Sequence, residues 1–279
     1  MDVLRLPARI ARHVAWRVGR VTAPTLDAMR RGDRTLITTP QAGLRFGNWL
    51  YLWLDAHQRT AAGDPTVVLE APGMDVWLEA FPGLRGLTVR RDLVRFHDRR
   101  EWDLATSWKQ RFGVDFTRQS LNAFIADCLA SEVNADASEM LVINVRRGDY
   151  YSNPGLRERY GFDQPGYLKE ALARVGRVAR ALIVSDDPDW CRENLLELVE
   201  ATSETVDFAD RDPVSNFTAV AGASRIIGTN STFSYWGAYV SGVVREAPVV
   251  VMPRFHGRLP QGSDAYQLDP RWIVIDGYS

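Results

Sequence analysis

Met140-Leu-Val-Ile-Asn-Val-Arg146-Arg147-Gly148-Asp149-Tyr150-Tyr151 is an apolar run that stops abruptly in two arginines, a glycine and an aspartate. Five of the six residues from Met140 to Val145 are apolar, the pattern of a strand buried on both faces of a parallel sheet. The charged cluster then falls at the strand's carboxyl end, where open α/β sheets bind their ligands. Two guanidiniums there suggest a phosphate site, because arginine's planar fork makes bidentate, charge-assisted hydrogen bonds to phosphate. An ion pair with Asp149, or with Asp186 and Asp187, is the alternative reading of the same spacing.

Downstream the chain alternates. Strand patterns at 140–145, 181–185, 205–208, 225–228 and 248–252 are separated by helical patterns near 166–175, 189–199, 216–224 and 232–241. Repeated βα units predict a doubly wound parallel sheet. Its strands end in Arg146-Arg147-Gly148-Asp149, in Ser185-Asp186-Asp187, in the acidic loop from Asp207 to Asp212, and in Thr229-Asn230-Ser231-Thr232. Such a fold brings these four ends to one rim. Asn230-Ser231-Thr232 precedes the apolar-aromatic run that begins at Phe233, which predicts a helix start with capping hydroxyls. A helix start is also a phosphate seat, through its exposed N–H groups and dipole.

Upstream, Leu36-Ile-Thr-Thr39 predicts a strand, followed by the glycine-containing turn Gly43-Leu-Arg-Phe-Gly47-Asn48 and an apolar-periodic helix from Trp49 to Ala56. Glycines there allow a ligand to approach the backbone, and an ordinary tight turn is the alternative. Val67–Leu69 and Leu87–Val89 read as strands and Phe116–Leu129 as a helix, so this half is α/β too. The small, polar stretch 131–138 breaks the pattern and is the expected junction. The chain therefore divides into an N-terminal domain over 1–135 and a C-terminal domain over 136–279. Residues 1–20 carry five arginines among apolar positions, a basic amphipathic helix expected on the surface or in weak contact with an anionic membrane face.

Composition narrows the field. The 279 residues carry a formal net charge of −1, which argues against a nucleic-acid protein defined by its overall field. The two cysteines, Cys128 and Cys191, exclude a disulfide scaffold and a cysteine-quartet zinc site, and a reducing cytoplasm fits them best. The four histidines are scattered without metal-ligand spacing. No Walker loop, nucleophile-elbow serine or dinucleotide glycine fingerprint occurs. Only Lys109 and Lys169 are lysines among the 34 basic residues, so adjacent arginines alone prove nothing.

Taken together, the three rim segments and the glycine block resemble the bacterial α-1,2-fucosyltransferases, glycosyltransferase family 11, and their wider α-1,6- and protein O-fucosyltransferase relatives. The family's His-x-Arg-Arg-Gly-Asp-Tyr is similar to Asn144-Val-Arg146-Arg147-Gly148-Asp149-Tyr150. Its Ser-Asp-Asp before Trp-Cys is matched by Ser185-Asp186-Asp187-Pro-Asp-Trp190-Cys191, and its long Asn-Ser block by Ile226 to Tyr239. Asn144 stands in place of the motif's histidine, Tyr235 in place of a tryptophan, and one extra residue lies between Ile227 and Asn230.

The resemblance implies a GT-B-like fold of two Rossmann-like domains facing a cleft. It implies an inverting, metal-independent transfer from GDP-L-fucose to a glycan hydroxyl, α-1,2 by linkage, with no cofactor. It assigns Arg146 and Arg147 to the β-phosphate and Ser231 and Thr232 to further phosphate contacts. Asn230, Phe233, Gly47 and Asn48 complete the donor site, and Ser185, Asp186, Asp187 or Asp212 meets ribose or guanine. Asp149 and Glu158 are the candidate bases. A non-catalytic nucleotide- or glycan-binding protein on this scaffold, or a transferase for another GDP-sugar, is the competing expectation. The setting expected is cytoplasmic, at the inner membrane face if residues 1–20 attach.

Overall fold

The computed structural model describes residues 29–38, 44–101, 109–135, 140–210 and 212–278. The amphipathic pattern of residues 1–20, the first part of the glycine turn and residues 136–138 of the expected junction lie outside the described residues.

In the N-terminal half, β1 (Thr35–Ile37), β2 (Thr66–Leu69), β3 (Thr88–Val89) and β4 (Arg99–Glu101) form a parallel sheet in the order β3-β2-β1-β4. Helix α1 (Phe46–Ala61) follows β1, α2 (Asp75–Ala80) follows β2, and α3 (Arg118–Cys128) leads toward the second half. Strand β4 reads Arg-Arg-Glu, which has no apolar alternation to announce it. Its neighbours hold it instead. The Arg99 N–H donates to the Arg34 carbonyl at 3.0 Å, and Glu101 pairs with Arg59 and, at 3.1 Å, with Lys109.

The C-terminal half begins with β5 (Leu141–Val145), two short helices α4 (Gly148–Ser152) and α5 (Pro154–Tyr160), and α6 (Gln164–Val175). It continues through β6 (Val178–Ser185), α7 (Pro188–Asn194), α8 (Leu196–Glu200), β7 (Ser203–Phe208), α9 (Pro213–Gly222), β8 (Arg225–Gly228) and α10 (Thr232–Val244). Strand β9 (Val249–Pro253), the hairpin β10 (Phe255–Leu259) and β11 (Gly262–Asp264), and β12 (Ile273–Ile275) complete it. The six-stranded sheet runs β12-β9-β8-β5-β6-β7, parallel throughout. Counted from β5 this is the doubly wound order 3-2-1-4-5-6, with its topological switch between β5 and β8. All five residues of β5 are buried, as expected at the centre of a parallel sheet, and the one polar member, Asn144, is hydrogen-bonded.

One apolar core joins the halves. Trp53 on α1 and Trp236 on α10 are fully buried in it, with Phe124 of α3, Phe217 of α9, and Val142 and Ile226 from one face of the large sheet. Tyr51 meets Trp236 edge-on at 5.0 Å between ring centres, so α1 is anchored on α10. The opposite face of the sheet packs against α6 and α7 in a second cluster, where the Tyr167 hydroxyl donates to the Gly228 carbonyl at 2.7 Å. Two parallel α/β sheets thus present their carboxyl ends to a common cleft, which is the GT-B-like arrangement.

Candidate active site

The loops after β1, β2, β5, β6 and β8, with the start of α9, enclose a cleft of about 540 Å³. From the N-terminal half come Arg45 to Trp49, Pro72-Gly73 and Trp77; the other wall is Asn144 to Arg146, Asp149-Tyr150, Val184 to Asp186 and Ser231 to Phe233, with Pro213 and Asn216 of α9. The cleft sits at the β5/β8 switch, where a doubly wound sheet opens a crevice.

Helices α1 and α10 start in this cleft side by side. Ser231 caps α10, its Oγ accepting from the Phe233 N–H at 3.3 Å. Helix α1 begins at Phe46 directly against it. A Cβ on Gly47 would lie 2.5 Å from Thr232 Oγ1 and 2.9 Å from the Phe233 nitrogen, so only glycine permits this approach. With 16 residues in α1 and 13 in α10, each start carries the partial positive charge of a full macrodipole. Arg45 and Arg146 add positive charge to the same walls.

The two arginines of the quoted stretch part company. Arg146 points along the cleft wall, its side chain 29% exposed, bonded to Asp186 at 2.5 Å and to Asp149. Its N–H donates to Thr229 Oγ1 at 2.9 Å, tying the end of β5 to the end of β8. Arg147 turns away and is buried. Its guanidinium carbon lies 3.4 Å from the Trp190 ring centre and 3.9 Å from that of Tyr151, while Nη1 donates to Gln164 at 3.1 Å and Nε to Asp187 at 3.3 Å. Caged between two rings, Arg147 shapes the rim from behind.

Asp186 explains where an anion cannot sit. Its Oδ1 accepts the Arg147 N–H at 2.8 Å and the Gly148 N–H at 3.1 Å, and a Cβ on Gly148 would collide with its carboxylate. A carboxylate therefore already occupies the β5–α4 turn. Away from that turn, the positive groups of the cleft are the two helix starts and Arg146 beside them.

Of the residues singled out by sequence, Gly47, Asn48, Arg146, Asp149, Ser185, Asp186, Ser231, Thr232 and Phe233 meet in this cleft. Arg147, Asp187, Asn230, Asp212 and Glu158 stand outside its walls. Asp187 caps α7, and Asp212 caps α9, where hydrogen bonds from Ser215 hold its carboxyl below the usual range. Asn230 is fully buried, its Nδ2 donating at 2.8 Å to the carbonyls of both Tyr160 and His256. It splints the turn before α10. Glu158 is exposed on α5, where its carbonyl accepts from Arg258.

Asn144, which replaces the motif's histidine, is a buried brace. Its Nδ2 donates to the Val184 carbonyl at 3.3 Å and its Oδ1 accepts from Ser234 Oγ at 2.6 Å, locking β5, β6 and α10 together below the cleft. Tyr150 also lines the cleft without having been singled out. It stacks on Tyr160 at 4.4 Å and carries Arg146 over its ring at 5.2 Å, and burial raises its hydroxyl pKa. Pro72, Gly73 and Trp77 escaped because none of the three carries a charged or hydroxyl side chain.

The profile of glycosyl transferase family 11 matches residues 103–257, and the chain belongs to that family. It is 26% identical over 163 residues to an α-1,2-colitosyltransferase of Escherichia coli, covering 52% of this chain and 53% of that protein. It is 33% identical over 107 residues to galactoside α-(1,2)-fucosyltransferase 1 of Lagothrix lagotricha, covering 36% of this chain and 28% of the relative. The chain thus spans about half the length of the first relative and little more than a quarter of the second. Among solved structures it is similar to E. coli heptosyltransferase WaaC with ADP, at 13% identity and a TM-score of 0.44 over 87% of this chain and 93% of that one. It is also similar to POFUT1 in complex with GDP, at 12% identity and a TM-score of 0.39 over 78% and 97%.

Proposed function

We propose that this protein is an inverting glycosyltransferase that moves L-fucose from GDP-L-fucose to a glycan hydroxyl in α-1,2 linkage, without a metal. The observation that carries the reading is the convergence of Arg146 with the starts of α1 and α10 at the β5/β8 switch. Breaking the sugar–phosphate bond pushes negative charge onto the departing diphosphate. A guanidinium and two helix starts, fixed before reaction, stabilise that charge without reorganising. Metal independence follows from the same division of labour, since the positive charge comes from the protein.

Asp149 is the acceptor-hydroxyl base in this reading. It lines the cleft beside Arg146, with its side chain 57% exposed, so an acceptor hydroxyl can reach it; Glu158 lies outside the walls. The names of the family relatives, one a fucosyltransferase and one a colitosyltransferase, support transfer of a deoxy sugar and give colitose as the second sugar to try.

Titration of the purified protein with GDP, GDP-L-fucose, ADP and other nucleotide sugars, in the presence of EDTA, tests the proposal. GDP-selective binding and release of GDP from GDP-L-fucose are expected. Silent binding would make the protein a nucleotide-binding module, and turnover abolished by EDTA would refute the metal-free mechanism.

A further inference from the structure

Asn48 stands in the cleft wall at the start of α1, and its amide ends a chain that runs deep into the protein. Gln110 Nε2 donates to Asn48 Oδ1 at 3.1 Å, and Gln267 Nε2 donates to Gln110 Oε1 at 2.9 Å. Gln110 is 3% exposed and Gln267 is fully buried. The far end is fastened to α10, whose Tyr239 hydroxyl donates to the Gln267 carbonyl. Three amides from distant parts of the sequence thus form one line from the cleft to the core.

Such a line has a direction, because each amide has one accepting and one donating end, and the three can only turn over together. In the direction found, the buried Gln267 Oε1 is left without a partner. In the reverse direction the buried Gln267 NH2 would be the orphan. Interiors tolerate an unpaired carbonyl oxygen more readily than an unpaired N–H, so the first direction prevails. Its consequence emerges at the other end: Asn48 Oδ1 is consumed by Gln110, and Nδ2 has no hydrogen-bond partner among the described residues.

We infer that Gln110 and Gln267 are positioning residues that hold the Asn48 amide with its NH2 toward the cleft, where it donates to an oxygen of the bound nucleotide sugar. The inference rests on the proposed function for the identity of that ligand. It accounts for two buried amides that take no part in either sheet. It also makes Asn48 a fixed donor that adds to the positive surroundings of the helix starts.

Gln110→Glu tests it. A carboxylate at 110 accepts from both neighbours, so Asn48 must turn over and present Oδ1 to the ligand. Gln110→Leu only releases Asn48, which the ligand can then orient. The kcat/KM for GDP release from GDP-L-fucose should fall about tenfold in Gln110→Glu, the effect of one misdirected hydrogen bond, and by less in Gln110→Leu. A merely structural role gives the opposite order, since leucine leaves the buried Gln267 amide without its acceptor and Asn48 Oδ1 without its donor. In an Asn48→Ala background either substitution should change kcat/KM less than twofold. Additive losses, or a larger loss for leucine than for glutamate at matched thermal stability, overturn the inference. Should Gln110→Glu fail to fold, the Gln110→Leu and Asn48→Ala cycle reads the same coupling. A wild-type protein that neither binds GDP nor releases it would instead overturn the proposed function, and with it the ligand assigned to Asn48; an active wild type with additive variants overturns the positioning alone.

Discussion

Replacing Arg146 by alanine separates a phosphate clamp from a structural ion pair. The guanidinium can offer two charge-assisted hydrogen bonds, each worth about 1.5–3 kcal/mol. Its charge is shared with Asp186 and Asp149, and its side chain is 29% exposed, so the lower end applies. A loss of about 3–4 kcal/mol in transition-state stabilisation corresponds to roughly 10²–10³ in kcat/KM. Stability should barely change. The pairs removed are partly exposed and worth at most about 1 kcal/mol each, and Asp186 keeps its two backbone donors, Arg147 and Gly148. The thermal midpoint should therefore move by only a few degrees, at roughly 2–4 °C per kcal/mol for a chain of this size. GDP release from GDP-L-fucose and calorimetric titration with GDP provide the assay, with Arg146→Lys as the intermediate that keeps charge and loses the fork. Near-normal turnover in Arg146→Ala would refute the reasoning, because no other arginine of the quoted stretch faces the cleft.

Arg147→Met should do the reverse, lowering stability by about 2–4 kcal/mol in urea titrations as the cage of Trp190 and Tyr151 empties and Asp187 loses its partner; an unchanged midpoint would contradict the caged role. Gly47→Ala forces α1 away from Thr232, and should weaken GDP binding at least about tenfold while destabilising by about 1–3 kcal/mol. Unaltered affinity would mean that the contact between the two helix starts plays no part in the donor seat. His256 is neutral in the folded protein because burial pushes its pKa down to about 4. Against an unfolded value near 6.5, the unfolded chain takes up the proton first, so stability holds above about pH 6.5 and falls by roughly 3 kcal/mol as pH drops to about 4. Chemical denaturation of wild type and His256→Gln across that window should show the steeper slope in the wild type, most clearly above about pH 5, where the carboxylates with lowered pKa values have not begun to protonate.

How much of this was legible depends on what each residue's neighbours are. Strand β5 could be read because a strand buried on both faces is mostly apolar, and the alternation after it predicted a doubly wound sheet without its strand order. Strand β4 could not, since it is held by Arg34, Arg59 and Lys109 from elsewhere in the chain, and no local pattern encodes a partner at that distance. Helices α4 and α5 were missed for a related reason: they are short and polar, and Asn153 and the stacking of Tyr150 on Tyr160 stabilise them more than any apolar stripe does. At the site, residue type brought the singled-out segments to one rim, and residue type alone could not tell apart two like residues that adjoin. Arg146 and Arg147 are chemically identical in sequence; Trp190, Tyr151 and Gln164 turn only the second inward.

The division between these arginines has a mechanistic consequence for the carboxylates around them. Asp186 fills the β5–α4 turn with negative charge, so under the proposed function a diphosphate would be directed to the α10 start, away from that turn. To reach the diphosphate, Arg146 must exchange its hold on Asp186 or Asp149 for the ligand's oxygens. An Asp186→Asn substitution keeps an acceptor for the Arg147 and Gly148 N–H groups while releasing Arg146 from one carboxylate. GDP should then bind more tightly, by up to about fivefold, since one competing ion pair of up to about 1 kcal/mol is gone. The gain should shrink as salt rises, because the competition it relieves is electrostatic. If instead GDP binds more weakly in Asp186→Asn at low salt, with the fold intact, Asp186 holds the ligand itself and Arg146 is not exchanged between them.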